Sequence, residues 1–145
     1  MKFIISLITI FILDQFIKYI FIDGFRFESN WISLILVYNK GVAFSMFSFL
    51  EEYLKYLQLI LLGAIVLFFK KENLFFKHPI ISGMLLGAGI SNIFDRFIHN
   101  GVVDYVYYHG LFEFAVFNFA DVIIDFSMAM LFWSYWRENE KNSNK

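Results

Sequence analysis

The stretch FIISLITIFILDQFIKYIFI, residues 3–22, is the clearest guide to the architecture of this chain. A bilayer core about 30 Å thick is crossed by about 20 mostly apolar residues in a helix, and this stretch has that length. Lys2 precedes it, as in a signal peptide, but no small-residue cleavage site follows. We therefore expect residues 3–22 to form a first, uncleaved membrane span.

The composition of the whole chain also indicates a membrane protein. Hydrophobic residues make up 59% of the 145 residues, charged residues make up 17%, and the mean hydropathy is +0.62. A soluble domain has roughly 45–50% apolar and about 25% charged residues. The net charge of −1 provides no basic surface for nucleic acid, and the absence of cysteine excludes disulfides and cysteine metal sites. The length predicts a single domain, residues 1–145.

Three more segments are long and apolar enough to cross a bilayer, namely residues 49–69, 79–98 and 112–136. The predicted fold class is therefore an all-α membrane protein with four transmembrane helices. In the third span Gly83 and Gly87 are four positions apart, which favours close packing against another helix. The basic residues that flank the spans fall on one side, so both termini are expected to be cytoplasmic; these residues are Lys2, Lys70, Lys71, Lys77, Arg137, Lys141 and Lys145.

Two segments remain on the outer side, residues 23–48 and 99–111. Each contains a run rich in β-branched and aromatic residues, Trp31–Tyr38 in the first and Val102–Tyr108 in the second. Such runs favour extended strands, and the turn signal Asn-Lys-Gly at residues 39–41 follows the first run. We expect these runs to form a small extracytoplasmic β-containing cap.

Two opposite charges lie near the middle of the first span, where a single charge costs about 2.5 to 3.5 kcal/mol on insertion scales. Lys18 follows Asp14 by one helical turn, so the two side chains can pair and offset part of that cost. A pair that neutralises itself favours a role in helix packing, and Gln15 can join the same network. We interpret Asp14 and Lys18 as a structural polar pair.

A second group of charges lies at or inside the outer half of the membrane and comprises Asp95, Arg96, Asp104, Asp121 and Asp125. At about 1.5 Å per residue from the start of the fourth span, Asp121 is expected roughly 14 Å along that helix. If the strand that carries Asp104 folds back over the helix, the two carboxyl groups meet. In a partly dry site they would share one proton, because two carboxylates cannot both ionise easily there.

Such a pair is an acid and a base at once, as the hydrolysis of a peptide bond by water requires. The spacing of His78, His99 and His109 does not fit a metal site. The residues alone leave three interpretations open: an aspartic hydrolase, a proton or ion carrier whose carboxylates form a relay, and a structural partner in a larger membrane complex.

Four motifs, in this order, resemble the lipoprotein signal peptidase family, also called signal peptidase II. They are DQFIKY from Asp14, NKGVAFS from Asn39, SNIFDRFIHNGVVDY from Ser91 and FNFADVIID from Phe117. The resemblance implies a membrane aspartic peptidase of the bacterial cytoplasmic membrane with its active site at the outer face. In that family's pattern Asp104 and Asp121 would be the catalytic pair.

The resemblance also implies a set of residues that bind substrate or shape the site: Asn39, Gly41, Ala43, Asn92, Asp95, Arg96 and Asn118. Within this set, Asp95 would support Arg96 from beside it, and residues 39–43 would form an outer loop over the substrate. The chain departs from the family pattern at Ser91, where glycine is usual, and at Asp125, one helical turn beyond Asp121.

The substrate that the resemblance implies is a prolipoprotein already carrying a diacylglyceryl group on a cysteine, which is cut just before that cysteine. No metal or organic cofactor is expected. The expected partners are the lipid-modified precursor and membrane lipids, and the chain is expected to act as a monomer.

Overall fold

A computed structural model describes residues 1–41 and 51–143 of the chain. The elements, in chain order, are α1 (Lys2–Ile22), β1 (Ile32–Asn39), α2 (Glu51–Lys71), α3 (Leu74–Lys77), α4 (Pro79–His99), β2 (Val102–Tyr108) and α5 (Phe119–Ser143). The fold is mostly helical with one small sheet. Ala43 and the first two residues of the predicted second span lie outside the described residues.

Two helices are long and apolar enough to cross a membrane within the ranges that the structure describes: α1, and the part of α2 from Tyr53 to Lys71. Helices α4 and α5 carry more polar side chains and do not meet that standard by length and composition. The sequence predicted four spans, whereas by length and composition only two of the described helices are clear membrane spans.

Helix α5 differs most from the prediction, because it begins at Phe119 instead of residue 112 and continues to Ser143 instead of ending at residue 136. The residues before it are held in an extended path. Phe117 pairs with Val106 of β2 through two backbone hydrogen bonds of 2.9 and 3.0 Å, and the Phe119 amide donates to the Tyr105 hydroxyl at 3.0 Å. The estimated position of Asp121 along its helix was therefore wrong, because this residue lies in the first turn of α5.

Helix α4 is central, and it packs closely against α1 through the two predicted glycines. A Cβ atom added at Gly87 would lie 2.5 Å from the Leu7 carbonyl oxygen, and one at Gly83 would collide with the Ser6 hydroxyl. Any larger side chain would push the helices apart, which confirms the prediction of a packing face. On its other sides α4 packs against α2 and α5.

The sheet lies at the end of α4 and confirms the two predicted strands. Asn100, with a positive φ of 56°, ends α4 and turns the chain into β2. Strands β1 and β2 are antiparallel, with Val37 opposite Asp104 and Asn39 opposite Val102. This register brings the end of β1 beside the only carboxylate of β2, close to the start of α5.

Candidate active site

The start of α5 fixes the position of the Asp121 carboxylate. Asn118 precedes the helix, and its side-chain oxygen accepts a hydrogen bond of 2.9 Å from the Asp121 amide. In return, the Asp121 carboxylate accepts a hydrogen bond of 3.1 Å from the Asn118 amide. This reciprocal arrangement is a capping box, which satisfies amides that a helix start otherwise leaves unpaired. The placement of the Asp121 carboxylate and the initiation of α5 thus depend on the same two residues.

The Asp104 carboxylate lies on β2 and is almost fully buried, with 2% of its surface exposed. Asn118 connects the two acids, because its side-chain Nδ2 donates to Asp104 Oδ1 at 2.7 Å while its backbone amide donates to Asp121. Two carboxylates that are distant in sequence therefore lie within hydrogen-bonding reach of one residue.

The surroundings of Asp104 favour its neutral form. Burial, which removes the hydration of the charged form, and repulsion from Asp121 together raise the pKa of Asp104 to about 7. Hydrogen bonds from Asn39 and Asn118 lower it, but by less than burial raises it. Near neutral pH this carboxyl group can therefore either hold or release a proton, as acid–base chemistry requires.

Three asparagine side chains donate hydrogen bonds to the two acids. Asn39 donates to Asp104 Oδ2 at 2.9 Å, Asn118 to Asp104 Oδ1 at 2.7 Å, and Asn92 to Asp121 Oδ1 at 2.8 Å. The acids are thus held from β1, from the start of α5 and from α4. Three of the residues that the family resemblance implied for the site, Asn39, Asn92 and Asn118, thus contact the two acids from three separate elements.

The orientation of each of these carboxamides is fixed by a donor to its oxygen. The Gly41 amide donates to the Asn39 oxygen at 3.0 Å. The Lys18 ammonium donates to the Asn92 oxygen at 2.8 Å, and the Asp121 amide donates to the Asn118 oxygen at 2.9 Å. Because the oxygen of each side chain is occupied, its NH₂ group must point towards the acids. The site is therefore preorganised.

Lys18 links this site to the buried polar network of α1. Its ammonium group lies 2.6 Å from Asp14 and 2.6 Å from Asp95, in addition to its hydrogen bond to Asn92. Lys18 has 1% of its surface exposed and Asp14 has none. The other oxygen of Asp14 accepts a hydrogen bond of 2.9 Å from the Ala120 amide in the first turn of α5. The predicted pair is present, and it joins three helices.

Ser91, which stands where the family resemblance implies a glycine, takes part in the same network. Its hydroxyl donates to Asp14 Oδ2 at 2.6 Å and accepts a hydrogen bond of 2.8 Å from the Gln15 side chain. Gln15 also donates to Asp95 Oδ1 at 2.8 Å. The prediction that Gln15 joins the network is confirmed, and Ser91 adds hydrogen bonds that glycine could not make.

Asp95 and Arg96 have separate partners. Asp95 contacts Lys18 and accepts a hydrogen bond of 3.1 Å from the Val103 amide, so it holds β2 against α4 and does not pair with Arg96. Arg96 donates to the backbone carbonyl oxygens of Asn39, at 3.4 Å, and of Gly41. It thereby holds the segment that follows β1.

A cavity of about 410 Å³ opens beside the two acids. Asp104 and Asp121 both line it, together with Asn39, Asn92 and Arg96 from the predicted set. The rest of its wall is largely apolar and comes from α2, α4, β2, α5 and the extended residues before α5: Leu61, Leu62, Ile65, Leu85, Gly89, Ile93, Val102, Phe114, Ala115, Val116, Phe117 and Ile124. Two further polar residues, Gln58 and Asp125, complete the lining.

Two features of the site escaped the sequence prediction, although each left a signal. Gln58 is an isolated carboxamide within an apolar helix, and an isolated polar residue in a membrane span is a candidate functional residue. The sequence Asn118-x-x-Asp121 has the spacing of a capping box, which would have predicted the true start of α5.

Comparisons with known proteins agree on one family. The sequence model for signal peptidase (SPase) II matches residues 6–137. The lipoprotein signal peptidase of Helicobacter pylori (strain ATCC 700392 / 26695) is 57% identical over 123 residues, which are 84% of this chain and 78% of the relative. That of Wolinella succinogenes is 56% identical over 127 residues, 87% of each chain. That of Campylobacter jejuni is 48% identical over 127 residues, 87% of this chain and 81% of the relative.

Two solved structures have a similar fold. One, described as a bacterial membrane enzyme at 2.3 Å resolution, superposes with a TM-score of 0.82 and 25% identity and covers 99% of this chain and 92% of its own. The other, described in the same words at 1.9 Å resolution, has a TM-score of 0.75 and 25% identity over 92% of this chain and 91% of its own.

Proposed function

Since this chain belongs to the signal peptidase II family, we propose that it is an aspartic endopeptidase that removes signal peptides from diacylglyceryl-modified prolipoproteins. The cut falls just before the lipidated cysteine. The observation that carries the proposal is the bridge made by Asn118 between Asp104 and Asp121 beside an open cavity.

In the proposed reaction, Asp121 is the base and Asp104 the acid. The carboxylate of Asp121 lies in the first turn of α5, where the helix dipole favours a negative charge, whereas Asp104 is buried within the sheet. Asp121 takes a proton from a water molecule, whose oxygen attacks the scissile carbonyl carbon. Asp104 donates its proton to the carbonyl oxygen.

The resulting tetrahedral intermediate then collapses. The carbon–nitrogen bond breaks, the proton held by Asp121 passes to the leaving amine, and a proton of the intermediate returns to Asp104. The products are the signal peptide, with a new carboxylate, and the lipoprotein, with a free amino group on its cysteine. The three asparagines keep the acids in place throughout, because their own orientations are fixed.

The proposed topology has four spans, α1, α2, α4 and α5, with both termini in the cytoplasm and the sheet on the outer side. The basic residues of the inner ends, such as Lys70 and Lys71 at the end of α2, support this orientation. In this topology the acids lie near the outer headgroups, where a lipid-modified cysteine is held. The apolar cavity wall then faces the acyl chains and the signal peptide, and one copy of the chain forms the whole site.

We assign the charges of α1 a structural role, as a fixed support of the site, and not the role of a proton relay. Lys18 makes three polar contacts with Asp14, Asp95 and Asn92, each at 2.6 to 2.8 Å. Such a network holds α1, α4 and the start of α5 together and orients Asn92. The members of this network pair with one another, which favours a structural role.

The proposal is tested by incubating the purified protein with a diacylglyceryl-modified precursor and locating the cut by mass spectrometry. We expect a single cut before the modified cysteine, and no cut with Asp104→Asn. A precursor with an unmodified cysteine is the control for substrate class, and we expect it to be cleaved far more slowly. Cleavage elsewhere, or equal cleavage by Asp104→Asn, would contradict the proposal.

A further inference from the structure

The first three backbone amides of α5 each donate to a side chain, and the acceptors lie on β2, on α1 and just before α5. The Phe119 amide donates to the Tyr105 hydroxyl at 3.0 Å, and the Ala120 amide donates to the Asp14 carboxylate at 2.9 Å. The third amide donates to the capping asparagine described above. A helix start otherwise leaves such amides unpaired. The Tyr105 hydroxyl is thus a link between β2 and α5 that the proposed acid–base reaction does not use.

The Tyr105 side chain is a fixed hydrogen-bond acceptor. The residue is buried, and its ring stacks on the ring of Phe21 in α1, with the two centroids 4.1 Å apart and the planes inclined by 8°. This stacking limits the movement of the ring and so fixes where the hydroxyl lies. Burial raises the pKa of Tyr105 above its ordinary value of 10.0, so the hydroxyl keeps its proton and does not serve as an acid or a base.

The hydroxyl joins the strand that carries one acid to the helical turn that carries the other. Tyr105 directly follows Asp104 on β2, and Phe119 precedes Asp121 by two residues in the first turn of α5. A shift of this turn relative to β2 would therefore change the separation of the two carboxyl groups. In enzymes a displacement of about 1 Å in a reacting group can lower the rate about 10²-fold.

We propose that Tyr105 is a positioning residue, whose hydroxyl holds the Phe119 amide and thereby sets the separation of the Asp104 and Asp121 carboxyl groups. This inference depends on the proposed peptidase function. Phenylalanine at residue 105 would keep the stacked ring but leave the Phe119 amide without its acceptor. The first turn of α5 would then be held less firmly against β2.

The test compares Tyr105→Phe with the wild type on a diacylglyceryl-modified precursor, at a temperature well below the Tm of both proteins. We expect kcat to fall about fivefold to tenfold, as the loss of one hydrogen bond predicts. KM should stay within about twofold, because the substituted side chain acts on the acids and not on the bound precursor.

A second readout separates positioning from a purely structural role. The probe is an uncleavable lipid-modified peptide with a hydroxyl-bearing tetrahedral carbon in place of the scissile carbonyl. Such a carbon resembles the reaction intermediate, so the affinity of the peptide depends on how the two acids are placed. Its inhibition constant should rise by about the same factor as kcat falls. A side chain that only stabilised the fold would lower the Tm and leave both quantities unchanged.

The matched control is Tyr107→Phe, two positions further along β2. The Tyr107 hydroxyl makes no hydrogen bond to any residue within the ranges that the structure describes, so this variant should keep the wild-type kcat and inhibition constant.

The positioning role is overturned if folded Tyr105→Phe keeps the wild-type kcat and inhibition constant, or if its loss is confined to KM. If Tyr105→Phe does not fold, Phe21→Leu decides, because it keeps the hydroxyl and removes the ring that stacks on it. A lower kcat in that variant supports the role, and an unchanged kcat overturns it. Failure of the wild type to cleave the precursor overturns the peptidase function itself.

Discussion

The substitution Asp104→Asn should make this protein more stable at alkaline pH while it abolishes cleavage. The pKa of Asp104 is raised from its ordinary 3.8 to about 7, so between these values the folded chain holds a proton that the unfolded chain has lost. Stability therefore falls as pH rises through this window and is constant above it. Roughly three pKa units at 1.36 kcal/mol each give an upper estimate of about 4 kcal/mol.

Asparagine cannot ionise, so the variant does not lose stability as the pH rises through this window. Its NH₂ group must, however, face one of the NH₂ donors of Asn39 or Asn118, which costs about 1 to 3 kcal/mol at every pH. The variant should therefore be less stable than the wild type at pH 4 and more stable at pH 8. The difference in unfolding free energy between the two proteins should change by up to about 4 kcal/mol across this range.

The assay is thermal unfolding of the purified protein in detergent, followed by tryptophan fluorescence from pH 4 to pH 8. At roughly 2–4 °C per kcal/mol, the Tm difference between variant and wild type should change by up to about 8 to 16 °C. Asp23→Asn, which removes an exposed carboxyl group, is the control and should follow the wild type at every pH. The reasoning is refuted if the Tm of Asp104→Asn changes with pH in parallel with the Tm of the wild type.

Three further substitutions test the supports of the site. Lys18→Met leaves Asp14 and Asp95 buried without their cation, and we expect a loss of about 3 to 5 kcal/mol of stability, measured as a lower Tm and as faster proteolysis. Asn118→Ala removes the cap of α5 and should cost about 0.5 to 2 kcal/mol; it should also lower kcat more than it changes KM, because both acids lose a donor. Gly87→Leu forces a side chain into the α1–α4 contact and should strongly reduce the yield of folded protein in membranes, whereas Gly63→Leu, which meets open space, should not.

Much of the fold could be predicted because its signals are local. Apolar length indicated α1, α2 and α4, and β-branched and aromatic runs indicated both strands, with β2 correct at both ends. The predicted start of α5 was wrong because the run Phe114–Phe117, just before the helix, is as apolar as a membrane helix. Their extended path depends on pairing between Phe117 and Val106, which is a tertiary contact that periodicity does not encode.

The chemistry of the site was easier to predict than its connections. Carboxylates and asparagines near a membrane surface are conspicuous in sequence, whereas the partner of each one depends on folding. The hydrogen bond from the Ala120 amide to Asp14 joins residues 106 positions apart. The choice of Lys18 over Arg96 as the partner of Asp95 follows from how α1 packs against α4, and the small side chains of α4 permit that approach.

The most direct test of the central claim is the cleavage rate of the lipid-modified precursor by Asp104→Asn, Asp121→Asn and the double variant. If the two carboxyl groups act as one acid–base unit, each single variant should lose a factor of about 10³ or more in kcat, and the double variant should lose little further. Asp23→Asn should cleave at the wild-type rate. An Asp121→Asn protein that cleaves as fast as the wild type, or single losses that multiply in the double variant, would contradict the account.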